Sequence, residues 1–146
     1  MRPAATAAGG PAGGPEAAPA GGSAAAPAGA RHRHVVTEAD VTAFEGGVVH
    51  RVYGTAAMVR DMEYAARLVL LDLLEPGEEG VGAEVWCRHL APVPVGATVD
   101  LVATAVEQSA RRLVCRVRAW SGGRLVGEGR VVQAVVEAGG FPPPPS

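Results

Sequence analysis

One long helical pattern followed by four strand-like stretches constrains the fold of this chain more than any other feature. Between Ala56 and Leu74 the apolar residues recur every three or four positions, and Pro76–Gly77 ends the pattern. Period-two alternation then marks four stretches, Val81–Val93, Thr98–Glu107, Arg112–Trp120 and Arg124–Val136. Short connections, including Pro94–Gly96, predict an antiparallel meander, and the helix should lie across its concave face. The pattern therefore predicts an α+β domain.

The two ends of the chain have compositions that do not favour a packed core. Residues 1–30 are almost entirely Ala, Gly and Pro, and residues 139–146 contain a proline run. Few large side chains there can offset the entropy lost when a backbone is ordered. We expect a disordered leader over residues 1–30, one domain over residues 31–138 with a first short strand at His34–Val36, and a flexible tail over residues 139–146.

Composition excludes several classes of function. The formal net charge is −2 and the arginines are dispersed, so no basic surface for nucleic acid is expected. No apolar run reaches the roughly 18 residues of a membrane span, and the leader lacks the aliphatic core of a secretory signal. Cys87 and Cys115 lie in apolar strand-like runs and are expected to be reduced, buried thiols. These features predict a cytoplasmic protein.

Glu63 is the first polar residue whose position makes it a candidate for a catalytic role. It lies at the border of the apolar stripe of the predicted helix, where partial desolvation suits a carboxylate to act as a base or nucleophile. The simpler interpretation is a surface ion pair with Arg67, four residues further on. Spacing alone favours the ion pair.

His89 is the second such residue. Strict alternation places it with Val85 and Cys87 on the more apolar face of its strand, toward the helix, and places Gly82 on the opposite face. An imidazole that faces inward can transfer protons near neutral pH. The alternative is a structural histidine that bonds a backbone carbonyl.

Thr55 directly precedes the predicted helix, where a threonine usually serves as an N-cap. The free amides of a helix N-terminus can also stabilise an oxyanion, so a hydroxyl there is well placed for chemistry. Thr55 and Glu63 are eight positions apart, about 12 Å along a helix. They could cooperate if the loop before the helix folded back, if they acted on opposite ends of a substrate, or if a dimer shared the site.

Other motifs are not found in the sequence. It contains no G-x-S-x-G elbow, phosphate-binding loop, dinucleotide fingerprint or zinc-like Cys/His spacing. The basic cluster Arg31–His34 is interpreted as a solvated surface, and a metal role for His32 and His34 is the less favoured alternative. No metal site is therefore expected.

Three runs, Gly54–Glu63, Leu74–Glu78 and Gly80–His89, resemble the fluoroacetyl-CoA thioesterase family, and the likeness continues through Pro94–Gly96, Ser109–Arg118 and Gly127–Gly129. In that family a threonine, a glutamate eight residues later and a histidine 26 residues further on form the catalytic set. Thr55, Glu63 and His89 keep both intervals. The resemblance therefore implies that these three residues are catalytic.

The resemblance also implies an architecture and a substrate. It implies a hotdog fold, in which a curled antiparallel sheet of about five strands wraps a long helix. It further implies a homodimer, which could pair into a tetramer, with acyl-CoA bound between subunits and no cofactor beyond the CoA of the substrate. Gly82 matches a family glycine near the acyl group. Val49 stands where the fluoroacetate enzyme has its lid phenylalanine, so selectivity for fluoroacetate is not implied.

The function predicted on this basis is hydrolysis of a small acyl-CoA thioester. Thr55 would attack the carbonyl or position the attacking water, Glu63 would act as base or nucleophile, and His89 would move protons. One alternative is an acyl-CoA-binding domain without turnover. A less favoured alternative is an enoyl-CoA hydratase, which needs an Asp and a His at the start of the helix that this sequence lacks.

Overall fold

The computed structural model describes residues 26–142 and residue 145. Residues 1–25 of the predicted leader and residues 143, 144 and 146 of the predicted tail lie outside this description. The elements in chain order are β1 (Gly29–Val35), a 3-10 turn (Glu38–Asp40), β2 (Val41–Phe44), β3 (Gly47–Tyr53), α1 (Thr55–Leu71), β4 (Glu78–His89), β5 (Thr98–Gln108), β6 (Arg112–Ser121) and β7 (Arg124–Glu137). The first strand thus begins at Gly29, earlier than the short strand predicted at His34–Val36.

One helix lies against a five-stranded antiparallel sheet of order β1-β5-β6-β7-β4, and β2 and β3 form a separate hairpin. Helix α1 contacts all five strands of the sheet. Met58, Met62 and Leu70 of the helix are fully buried against the inner face, which presents Leu101 and Leu113. This arrangement confirms the predicted α+β class and the hotdog architecture that the resemblance implies.

The pairing partner of β4 differs from the predicted meander. Strands β5, β6 and β7 follow one another as hairpins, but β4 pairs with β7 and forms an edge of the sheet. The strand ends at His89 rather than Val93 because Pro92 and Pro94 supply no amide for a ladder. The following connection carries the chain to the far side of the sheet, so Pro94–Gly96 does not form a hairpin turn.

Four residues of the apolar stripe predicted for the helix are buried: Met62, Ala66, Val69 and Leu70. Val59 is only partly buried, and the buried face also includes Met58, Asp61 and Ala65. The helix ends at Leu71 rather than Leu74. No helix in the part of the chain described here is long and apolar enough to cross a membrane.

A β-bulge in β4 changes which residues face the helix. The register with β7 shifts between Gly82 and Glu84, so Ala83 is an extra residue in the strand. A Cβ added at Gly82 would overlap the carboxylate of Glu63 on α1. Gly82 therefore lies on the helix side. The opposite face predicted for it by strict alternation is wrong, because one extra residue inverts the alternation.

Two glycines of β7 allow the helix to approach the sheet closely. A Cβ at Gly127 would overlap the side chain of Met58. One at Gly129 would overlap the sulfur of Met62 and would lie 2.8 Å from the carbonyl oxygen of Trp86. A methionine side chain can move aside, but the backbone of the paired strand cannot, so position 129 is the more restrictive of the two.

We expect Gly129→Ala to lower the free energy of unfolding by about 1–3 kcal/mol, the usual cost of overpacking a core. Urea unfolding of the purified variant measures this change. Gly140→Ala is the matched control, because Gly140 is exposed and its added Cβ would lie 3.3 Å from the Glu137 carbonyl. Equal midpoints for the two variants would show that the pairing of β4 with β7 can accommodate a Cβ at position 129.

Candidate active site

Thr55 is the first residue of α1, and Gly54 is its N-cap, with an extended backbone at φ −74° and ψ 152°. The threonine hydroxyl lies 3.1 Å from Nδ1 of His89. The N-cap interpretation of Thr55 is therefore wrong, because the backbone turns into the helix one residue earlier. Gly54 has no space for a side chain, since an added Cβ would lie 2.9 Å from the Asp40 carbonyl oxygen.

His89 ends β4 on the face that packs toward α1, and its side chain is half-buried. Its Nδ1 is hydrogen-bonded to the Thr55 hydroxyl. The alternative of a structural histidine bonded to a backbone carbonyl is therefore wrong. Nε2 is buried and has no hydrogen-bond partner among the described residues. The ring also packs edge-to-face on Tyr53, with centroids 6.2 Å apart. One ring nitrogen is thus hydrogen-bonded to a hydroxyl, and the other has no hydrogen-bond partner among the described residues.

Glu63 lies on α1 with its carboxylate against Gly82, and its side chain is exposed in the single chain. The predicted ion pair with Arg67 is not formed. Arg67 instead donates to Glu79 Oε1 at 3.1 Å and to the Gly80 carbonyl at 3.3 Å. The partial desolvation expected for Glu63 is therefore absent within one chain.

The structure brings two of the three predicted catalytic residues together in one chain. Thr55 and His89 are in hydrogen-bond contact, whereas Glu63 stands two turns further along the same helix, about 12 Å away along its axis. The helix begins at Thr55, so a loop that folds Thr55 back toward Glu63 is excluded. What remains is a substrate that spans both positions or a site shared between two chains.

A cavity of about 230 Å³ adjoins the Thr55–His89 pair. The β2–β3 hairpin forms its other wall with Phe44 and Val49, whose exposed fractions are 70% and 60%. Val49, predicted to bind substrate, thus lines the same cavity as the two catalytic candidates. The sequence analysis did not predict Phe44 as a residue of the site. The feature that could have indicated it is an aromatic side chain just before the Gly46–Gly47 turn.

The two thiols are poor candidates for the nucleophile. Burial raises the pKa of Cys87, two residues before His89, and raises the pKa of Cys115 to about 12. Both thiols are free, and Cys115 is fully buried whereas Cys87 is only partly so. Neither is a thiolate at neutral pH, which leaves oxygen nucleophiles at this site.

A buried polar cluster beneath Tyr53 was missed by the sequence analysis. The Tyr53 hydroxyl donates to Asp61, and Arg60 donates to Asp61 at 2.9 Å and to Asp40 at 2.8 Å. His34 Nε2 lies 2.6 Å from the Asp40 carboxylate. Burial, with the nearby Asp61 carboxylate, raises the pKa of Tyr53. Burial opposes ionisation of Asp40, yet bonds from the Thr37 amide, Arg60 and His34 hold its pKa well below the usual range.

The cluster corrects the interpretation of Arg31–His34 as a solvated surface. Arg31 and Arg33 are exposed, but His32 and His34 are half-buried on the opposite face of β1, toward α1. The sequence feature that could have indicated this cluster is Asp61. It lies three residues after Met58 and four before Ala65, so a charged side chain falls within the apolar stripe of the helix.

Comparison with known proteins relates the chain to one enzyme family. A family model described as fluoroacetyl-CoA-specific thioesterase matches residues 36–139. The fluoroacetyl-CoA thioesterase of Streptantibioticus cattleyicolor is 36% identical over 85 residues, which are 58% of this chain. That alignment spans 61% of the relative's length.

Solved structures agree with this relation. A thioesterase superfamily member from Thermus thermophilus is 39% identical, with a TM-score of 0.74 over 77% of this chain and 84% of its own. The crystal structure of a fluoroacetyl-CoA thioesterase is 29% identical, with a TM-score of 0.71 over 77% of this chain and 88% of its own. A variant of that enzyme in complex with fluoroacetate and CoA also gives a TM-score of 0.71, at 29% identity, over 78% of this chain and 96% of its own.

Proposed function

The chain belongs to the fluoroacetyl-CoA-specific thioesterase family, whose model spans residues 36–139, and from this premise we propose that it hydrolyses small acyl-CoA thioesters to the free acid and CoA. The observation that carries the proposal is the 3.1 Å contact between Thr55 and His89 beside a small cavity at the start of α1. A hydroxyl, an imidazole and a helix N-terminus are the groups that acyl transfer requires.

The proposed chemistry assigns a role to each group. The Thr55 hydroxyl either attacks the thioester carbonyl or orients the water that does, and His89 accepts the proton that the nucleophile releases. The free amides of the first turn of α1 stabilise the oxyanion of the tetrahedral intermediate. His89 returns its proton to the CoA thiolate as the thiolate leaves. Glu63 acts either as the base for the water that releases the free acid, or as the nucleophile that carries the acyl group until water releases it.

We propose that Glu63 reaches this chemistry through a homodimer. The twelve-residue strand β4 is an edge of the sheet, and its outer side pairs with no strand in the described part of the chain. A long edge of this kind is normally covered. Antiparallel pairing of two β4 strands about a two-fold axis at Trp86, with Ala83 as the extra residue of the bulge, brings Gly82 opposite the partner subunit's His89. Glu63, which lies against Gly82, then approaches the partner's Thr55–His89 pair.

The size of the cavity supports a short acyl group. At about 230 Å³ it lies below the range of roughly 300–1,000 Å³ that is typical of sites for drug-sized ligands. Val49 places an aliphatic side chain where the fluoroacetate enzyme has its lid phenylalanine, so we propose no preference for fluoroacetate. The complex of a family relative with fluoroacetate and CoA supports acyl-CoA as the substrate class.

A thiol-release assay over acyl-CoAs of increasing length tests the proposed function. We expect turnover to be fastest for two- to four-carbon chains, with acetyl- and fluoroacetyl-CoA within about tenfold of each other. Tight binding of acyl-CoA without thiol release would instead favour the non-catalytic binding domain. Addition of water to enoyl-CoA, with no thiol released, would favour the hydratase.

Gly82→Ala should lower kcat by at least about tenfold with little loss of stability. The added Cβ would occupy the space of the Glu63 carboxylate, and this exposed side chain can rotate away at small energetic cost. Thiol-release kinetics together with a thermal melt measure both effects. Unchanged kcat would mean that the position of Glu63 against Gly82 does not matter for turnover.

A further inference from the structure

A second cavity lies on the β1 side of α1, and Tyr53, whose ring contacts both His34 and His89, stands between it and the proposed active site. Its volume is about 450 Å³, and it is bounded by the edge strand β1, the 3-10 turn and the helix. Neither Thr55, Glu63 nor His89 lines it. His32 and His34 of β1 and Asp61 of α1 do. The proposed hydrolysis uses none of these three side chains.

The three side chains converge with the spacing of metal ligands. One ligand atom from each of His32, His34 and Asp61 lies within 4.8 Å of the other two. His34 Nε2 and Asp61 Oδ2 are 3.9 Å apart. Ligand atoms of a tetrahedral zinc site are separated by about 3.3–3.4 Å when the bonds are about 2.0–2.1 Å long. Small rotations of the side chains therefore suffice to close the site.

Asp40 borders these three side chains, but its carboxylate is held by other groups. Its Oδ2 lies 2.6 Å from His34 Nε2 and also accepts from the Thr37 amide at 2.8 Å and the Thr37 hydroxyl at 3.1 Å. The side chains of Asp40 and Asp61 are only 2% and 5% exposed. Two imidazoles on alternate residues of one strand face two buried carboxylates on the neighbouring elements.

The charge of the cluster is compatible with a divalent cation. Asp40 and Asp61 carry two negative charges, and Arg60 supplies one positive charge to both of them. The Arg60 side chain is 55% exposed, so its guanidinium can turn into solvent when the carboxylates turn toward a metal. Arg60 contacts the Oδ1 atoms of the two carboxylates, whereas their Oδ2 atoms face His34. Its positive charge therefore opposes a metal ion held by Asp61 without occupying the same oxygen.

We propose that His32, His34 and Asp61 bind one divalent transition-metal ion of the zinc class, with a water molecule as the fourth ligand. Two imidazoles with a carboxylate favour zinc over calcium or magnesium, which prefer oxygen ligands alone. The ion ties the edge strand β1 to the central helix. The test measures metal binding itself and does not depend on thioester hydrolysis.

Calorimetry with zinc chloride on the full-length, tag-free protein, freed of metal by a chelator, tests the proposal. We expect one zinc ion per chain with a dissociation constant in the micromolar range or below. Zinc at 100 times that constant should raise the thermal midpoint by roughly 5 °C or more. His32→Gln should weaken binding at least tenfold, whereas His50→Gln, which removes an exposed histidine of β3, should leave it unchanged.

Arg60→Gln supplies a test of opposite sign. Removal of the positive charge beside the two carboxylates should tighten zinc binding. Cobalt(II) bound in place of zinc should show the visible absorption of a four-coordinate ion. Zinc affinity that is equal in the parent protein and in His32→Gln would overturn the proposal, as would binding seen only at millimolar zinc or weaker binding by Arg60→Gln. If Arg60→Gln does not fold, the comparison of His32→Gln with His50→Gln decides alone.

Discussion

His89→Ala should lower kcat for a short acyl-CoA by about 10²–10⁴-fold, the range associated with loss of a general acid–base. The imidazole lies 3.1 Å from the Thr55 hydroxyl and keeps its second nitrogen uncommitted among the described residues. Its removal takes away both the proton acceptor and the group that orients the hydroxyl. Thiol-release kinetics at saturating substrate measure the change.

His89→Gln separates proton transfer from packing. An amide fills most of the space of the half-buried ring and can bond the Thr55 hydroxyl, but it does not accept a proton near neutral pH. We expect His89→Gln to be as inactive as His89→Ala and to melt closer to the parent protein. Activity within tenfold of the parent protein in His89→Gln would assign His89 a structural role only.

Glu63→Gln should also lower kcat by about 10²–10⁴-fold, with almost no change in thermal midpoint. The carboxylate forms no ion pair with the neighbouring Arg67, and the amide of glutamine fills the same space, so the substitution removes little stabilising interaction. Thiol-release kinetics and a melting curve on the same preparation test both parts of this expectation.

The matched control for this variant is Glu107→Gln. Glu107 pairs with Arg112 at the end of the β5–β6 hairpin, far along the chain from α1, and such exposed pairs contribute little. Its turnover should match that of the parent protein. Equal activities of Glu63→Gln and the control would remove Glu63 from the mechanism and leave a site built on Thr55 and His89 alone.

The periodicity of the sequence predicted most of the elements but not all of their pairings. The change from a period of 3.6 to a period of two located α1 and the four long strands to within a few residues. The pairing of β4 with β7 could not be read from short connections, because it depends on how far the proline-containing connection after His89 carries the chain. The bulge at Ala83 left no signal in the alternation, so the face of Gly82 was assigned wrongly.

The candidate site could be predicted only in part, because its contacts join residues that are far apart in the sequence. The intervals between Thr55, Glu63 and His89 pointed to a shared chemistry, and the contact of Thr55 with His89 agrees with it. In the proposed homodimer Glu63 acts beside the Thr55–His89 pair of a second chain, and no pattern in one sequence displays such a contact. The cluster of His34, Asp40 and Asp61 joins residues from three elements, and only the charge within the apolar stripe of α1 could have indicated it.

A mixed dimer of Glu63→Gln and His89→Ala tests most directly whether two chains share the site. The two variants carry different tags, are co-expressed and are purified as the mixed species. If Glu63 of one chain serves the Thr55–His89 pair of the other, one of the two sites is intact, and the mixed dimer should show about half the kcat of the parent dimer. A mixed species no more active than either variant alone would contradict the account, because each chain would then have to supply all three residues itself.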